Sequence, residues 1–229
     1  MDSLQSTIPR RRPPVGGYAR GEETRLRIIQ AALTAFADEG YLGASTRRIA
    51  AEAGVNPPAL QYYFDSKEGL HRACGQFIVD YAVSALAPAM DRANAALAGN
   101  RREAVVEALV EVVDVIAGLA MAKADGDGWS RFMRRCDADD GGPAFDVVES
   151  GIAMPIKSVT TKLVGGALGL SPEDGEVRLR TILMLSQLSA LSIKRDSTLM
   201  ALGWSDFGNG RGQTFRAILA DHVRKLVTV

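Results

Sequence analysis

The chain is short of several things, and each shortage narrows its nature. It holds two cysteines, Cys74 and Cys136, in 229 residues, too few for the disulfide framework of an extracellular scaffold. Lysine plus arginine and aspartate plus glutamate both number 27, so the overall charge argues neither for nor against nucleic acid. No run of 18 apolar residues occurs, which speaks against a membrane-spanning segment. The first seventeen residues lack the apolar centre of an export signal, and their arginines sit beside prolines. A soluble cytoplasmic protein is therefore expected. Aromatics are 6 % of the chain, no strand pattern stands out, and alanine and leucine recur at helical spacing. The fold class this implies is all-α.

Prolines and glycines divide what is present. Residues 1–20 read as a disordered basic arm, with Arg10, Arg11, Arg12 and Arg20 among Pro9, Pro13, Pro14, Gly16 and Gly17. A helix follows, with Leu26, Ile29, Leu33 and Phe36 on one stripe, and Gly40 ends it. Ser45 or Thr46 caps a short helix to about Ala53. Asn56 caps a second, with Pro57 at the favoured first position. Asp65 and Glu68 have the spacing of a capping box for a long helix that Pro88 kinks or shortens. Further helices are expected over 102–122, 129–136, 143–168 with an irregularity at Pro155, 172–193 after Ser171-Pro172-Glu173-Asp174, and 213–227.

The short pair near residue 50 has the makings of a helix-turn-helix. Ala50 is small where two helices must approach, Gly54 tolerates a positive φ in the turn, and Leu60 is an apolar plug on the second helix. Ile49 and Val55 complete a small core.

These residues also resemble a known family. Ser45-Thr46-Arg47-Arg48-Ile49-Ala50, Ala53-Gly54-Val55, Leu60-Gln61-Tyr62-Tyr63-Phe64 and Ser66-Lys67-Glu68-Gly69-Leu70 are similar to the signature of the TetR/AcrR regulators. The upstream run Ile28 to Leu33, Phe36-Ala37 and Gly40-Tyr41 fits that family's first helix. Pro143 through Met154-Pro155, the Ser171-Pro172 helix and Leu202-Gly203-Trp204 resemble a CecR/YbiH-type C-terminal region. The resemblance implies an N-terminal three-helix DNA-binding head over 21–70. A C-terminal helical bundle over 71–229 would serve ligand binding and dimerisation. It implies a ligand-responsive transcriptional regulator, a repressor in the first instance. Such a regulator binds a pseudo-palindromic double-stranded operator as a homodimer through its C-terminal helices and is released by a small effector.

On that template the DNA-binding candidates are Thr46, Arg47, Pro57, Pro58, Gln61, Tyr62, Tyr63 and Lys67. Glutamine pairs with adenine, proline meets a thymine methyl, and Thr46, the tyrosines and Lys67 suit phosphate or sugar. Pro57, Pro58 and Gln61 depart from the residues common in the family, so the operator should be this protein's own. The effector-pocket candidates are Phe77, Tyr81, Met121, Trp129, Phe132, Met133, Phe145, Met154 and Met184, which point to a mostly apolar ligand, although most of them suit a plain core equally well. No nucleophile, base and orienting group assemble into a catalytic set, and neither cofactor nor metal is expected. A second reading is a redox- or small-molecule-sensing helical module without direct DNA regulation, with Cys136, beside Arg134 and Arg135, as the better thiol.

Overall fold

The computed structural model describes residues 15–121, 128–138, 142–188, 191 and 194–228. The elements within them are all helical.

The first helix, α1 (Val15–Gly43), begins earlier than its composition suggests. Pro13 and Pro14 stand just ahead of it, where proline is tolerated, and no proline interrupts it afterwards. The last six residues of the expected arm are thus helical; residues 1–14, with Arg10, Arg11 and Arg12, lie outside the described residues. The buried face is Ile28, Ile29, Ala32, Ala35 and Phe36, while Leu26, expected on the inner stripe, is exposed. Gly40 breaks the helical path at φ 73 and ψ 171, a region essentially open to glycine alone.

Two short helices follow, α2 (Thr46–Glu52) and α3 (Pro57–Phe64). The turn between them runs through Gly54 at φ 65, and the Val55 N–H closes it on the Ala50 carbonyl at 2.9 Å. The Asn56 side chain accepts the Ala59 N–H at 2.9 Å, the cap its place before Pro57 predicts. Ile49, Ala50, Leu60 and Phe64 are buried against α1.

The long helix α4 (Lys67–Gly99) is capped by Ser66, whose hydroxyl accepts the Gly69 N–H at 3.0 Å. Asp65 is not the cap: it takes φ 58 and donates its N–H to the Gln61 carbonyl at 2.8 Å, closing α3. The helix continues through Pro88. Pro88 and Ser84, whose carbonyl loses its usual donor, both lie on the exposed side. Among the described helices α4 alone has the length and apolar composition to cross a membrane. Here it is a core helix, with Cys74, Ile78, Ala82, Leu86, Ala89 and Ala93 buried.

Asn100, in the left-handed conformation, turns the chain into α5 (Arg102–Met121). Helix α6 (Gly128–Ala138) lies against α1, and α7 (Gly142–Val148) against α4. The second contact is close: a Cβ on Gly75 would stand 3.1 Å from that of Ala144. A π-helical turn, Glu149–Ala153, joins α7 to α8 (Met154–Leu168). It is the irregularity expected near Pro155, since a proline nitrogen cannot donate to the carbonyl four residues back and a wider turn absorbs the mismatch.

Three helices complete the chain: α9 (Gly175–Leu188), α10 (Arg195–Leu202) and α11 (Arg211–Leu226). Helix α9 starts later than Ser171-Pro172 suggests. Residues 171–174 form a turn, and the Asp174 carboxylate, accepting the Glu176 N–H at 2.8 Å, serves as the cap. Helix α10 is not anticipated by the periodicity. The far end of the bundle is tied by cations at helix C-termini. Arg102 donates to the carbonyls of Ala167 and Val227, and Arg180 to that of Leu226.

Two cores result. One gathers α1–α3, the first half of α4, and Phe132, Cys136 and Ala144 from α6 and α7. The other gathers Leu109, Val112 and Val113 of α5, Leu163 and Val164 of α8, Met184 of α9, and Leu219 and Val223 of α11.

Candidate nucleic-acid interface and effector region

The packing of α2 and α3 divides the polar residues of the head into two groups. Arg48 is structural: its guanidinium pairs with Glu52 at 2.8 Å and with Glu39 of α1. Arg47, one residue earlier, is exposed and has no bonded partner among the described residues. Pro57, Pro58 and Gln61 form the outer side of α3, exposed beside Tyr62, which is 83 % exposed. Tyr63 is half-buried; its ring meets Tyr62 edge-on at 5.4 Å and Phe64 at 6.2 Å. Thr46 is half-buried at the start of α2.

Lys67 is placed differently. Its ammonium donates to the Leu42 carbonyl at 3.0 Å and lies 5.1 Å from the centre of the Tyr41 ring. It therefore braces the turn between α1 and α2, with two of its three donors left over.

The head is locked to the rest through α6 and α7. Arg131 pairs with Asp38, and Arg135 donates to the Asp38 carbonyl at 3.1 Å and to the Ala37 carbonyl at 3.3 Å. His71, near the start of α4, sits at the centre of this seam and is buried. Its Nδ1 accepts the Ala144 N–H at 3.0 Å. Its ring centre lies 4.6 Å from Phe36, 4.9 Å from Tyr41 and 5.0 Å from Phe132. Burial, with the nearby charges of Lys67 and Arg72, lowers its pKa to about 4. Nothing in the sequence signals this role; His71 reads there as an ordinary helix residue.

Cys74 and Cys136 lie in the same core, both buried. Burial, and the neighbouring Cys136 thiol, push the Cys74 thiol well above its usual range. A thiol held protonated is a poor redox sensor, which weighs against Cys74 in that role.

The nine effector candidates do not converge. Phe132 is core, buried against Phe36 and His71. Phe77, Trp129 and Met133 pack on the same core, and Tyr81 meets Trp129 edge-on at 4.8 Å. Met184 is fully buried in the second core. Phe145 and Met154 are exposed. Three clefts of the bundle have volumes of about 550, 650 and 450 Å³, and Met121 alone of the nine borders any of them. Aromatic and methionine content marks apolar interior but not which interior, and the candidates divide between the two cores.

Comparison with known proteins decides the family. Residues 28–74 match the model of bacterial regulatory proteins of the tetR family. Residues 105–228, more than half the chain, match that of the C-terminal domain of the HTH-type transcriptional dual regulator CecR. The chain belongs to the TetR family, with a CecR-type C-terminal domain. It is 28 % identical over 206 residues to the CecR of Shigella flexneri, covering 89 % of this chain and 91 % of that protein. Over 64 residues, 28 % of this chain and 30 % of the relative, it is 39 % identical to the regulatory protein RaaS of Mycobacterium tuberculosis.

Solved structures share the fold. A TetR-like regulator from Rhodococcus sp. RHA1 matches with a TM-score of 0.55 at 20 % identity, over 89 % of this chain and 93 % of that one. The fatty acid degradation regulator FadR from Bacillus halodurans matches with a TM-score of 0.57 at 17 % identity, over 88 % and 96 %. This TetR-family chain is thus a transcriptional regulator with a helix-turn-helix head, and its relatives are regulators, not enzymes. The regulators of this family bind operator DNA and small-molecule effectors and act as dimers.

Proposed function

We propose that the protein is a cytoplasmic, dimeric repressor that reads a pseudo-palindromic operator with the outer face of α3 and the start of α2, and leaves it when a small effector binds. The observation that carries this is the exposure of Arg47, Pro57, Pro58, Gln61 and Tyr62 on a helix pair whose Ile49, Ala50, Leu60 and Phe64 are buried. Gln61, Pro57 and Pro58 would meet base edges; Arg47 a base or phosphate; Thr46, Tyr62, Tyr63 and the spare donors of Lys67 the backbone. A symmetric pair of heads would reach successive major grooves about 34 Å apart.

The dimer would form through α9 and α11. Leu179, Ile182 and Leu183 of α9 and Ile218 of α11 are all more than half exposed in the single chain. Large apolar side chains gathered on two neighbouring helices are the mark of a surface that a second copy covers.

The test is selection of bound sequences from random duplex DNA, followed by titration of the selected site at several salt concentrations. A palindrome is expected. Arg47→Ala should weaken binding about tenfold or more, Gln61→Ala should relax the preference at one position of each half-site, and Lys67→Ala should weaken all sequences alike. Unchanged affinity in both Arg47→Ala and Lys67→Ala overturns the contact assignment.

A further inference from the structure

The cleft of about 550 Å³ lies where the end of α5, the start of α10 and the start of α11 meet, lined by Gly118, Met121, Arg195, Phe207, Gln213 and Arg216 among others. Its charges are not equivalent. Arg216 is matched by Asp114 of α5 in a two-pronged pair. Asp206 is turned into its own loop, accepting the Gly208 N–H at 2.7 Å and the Ser205 hydroxyl at 3.3 Å. Arg195 has no carboxylate partner among the described residues. Its Nη1 makes two long contacts, to the carbonyls of Ala120 at 3.3 Å and Met121 at 3.4 Å, and its guanidinium lies 5.0 Å from the centre of the Phe207 ring. Nε and Nη2 have no acceptor among the described residues. A half-buried guanidinium with donors to spare, standing over an aromatic ring at the edge of a cavity, is the arrangement that takes a carboxylate in a fork.

We propose that this cleft is the effector site, and that its ligand is an aromatic carboxylate. The acid group pairs with the free edge of Arg195, the Gln213 amide completes its hydrogen bonding, and the ring lies against Met121 and Phe207. This adds an acid group to the mostly apolar ligand expected from composition, and it rests on the reading of the protein as ligand-responsive. The site also lies on a path to the head. Arg195 holds the last carbonyls of α5, and the next helix in the chain, α6, grips α1 through Arg131 and Arg135. A carboxylate that draws Arg195 from those carbonyls frees the end of α5, and the differential affinity for that state shifts the head.

The experiment uses the full-length dimer and three acids, benzoate, phenylacetate and cinnamate, each beside its carboxamide. Binding is read by calorimetry and by release of the selected operator. At least one acid should bind tenfold or more tightly than its amide. Arg195→Gln should abolish that preference, and Arg195→Lys should restore part of it. Gly118→Leu supplies a second variant that should not harm folding, because a Cβ there meets nothing within 4 Å; it should fill the cleft and remove binding altogether. Equal binding of acids and amides, no binding by any acid, or acid binding that survives Gly118→Leu overturns the site. A wider panel of neutral apolar compounds separates this failure from that of the regulator itself. If one of them releases the operator, ligand responsiveness stands and this cleft is wrong; if no compound of either kind does, the ligand-responsive reading falls.

Discussion

The head and the far bundle bury their apolar residues to different degrees. In the head, Ile28, Ile29, Phe36, Ile49, Ala50 and Leu60 are all buried, and the side chains left outside on the reading face are mostly polar or aromatic. In the bundle, Leu179, Ile182, Leu183, Met200 and Ile218 stand exposed beside two sizeable clefts. In the head the exposed large aliphatic side chains are Leu26 and Leu42. The bundle carries the exposed apolar face of the proposed dimer contact and the cleft of the proposed effector site. A regulator needs this inequality, because a rigid reader must be moved by a part that can adopt more than one arrangement.

The largest expected effect lies where the two regions join. Phe132→Ala, which empties a ring between Phe36 and His71, should cost about 3–5 kcal/mol of stability in urea unfolding. If it proves mild, the head is independent of α6 and the seam is not structural. Next comes the proposed dimer face. Leu183→Glu should weaken dimerisation at least a hundredfold, about 2.7 kcal/mol, read by light scattering at falling concentration, while the far-ultraviolet dichroism stays helical. Retention of the dimer moves the interface off α9.

Acid should act on the seam more gently. His71 has its folded pKa lowered to about 4 from 6.5, so the unfolded chain binds the proton more readily. Its neutral form contributes stability fully above pH 6.5, and that contribution falls away as pH drops towards 4, by at most about 3 kcal/mol. His71→Gln should flatten this part of the pH–stability profile; an unchanged slope assigns it to other groups. The smallest effect belongs to the head alone. Gly54→Ala, at φ 65 with open space around it, should cost about 1–2 kcal/mol from backbone conformation, measured as a drop in Tm. A neutral result means the turn relaxes.

Legibility in the sequence followed distance along the chain. The Asn56 cap, the Gly54 turn and the buried Ala50 and Leu60 are all local, and each is readable because its partner lies within a few residues. Ser66 replacing Asp65 as the cap is a shift of one residue, since serine and aspartate cap about equally well. Contacts with distant partners are not legible in this way. Phe132 meets residues of α1 and α4, and Arg195 meets the end of α5, some 75 residues earlier. Its one local oddity is a cation in the first turn of a helix, where the dipole disfavours it.

What the sequence determined by itself is therefore the class and the reader: an all-helical chain, a helix-turn-helix from Thr46 to Phe64, and the unusual Pro57, Pro58 and Gln61 on its outer side. Periodicity, caps and turn residues act over a few positions and suffice for that. Tertiary structure alone decided that Phe132 and Met184 belong to two separate cores, that His71 pins the head to α7, and that Arg195 faces a cleft with no carboxylate paired to it among the described residues. Burial and pairing are properties of surfaces brought together from far along the chain, and no local pattern records which surfaces will meet.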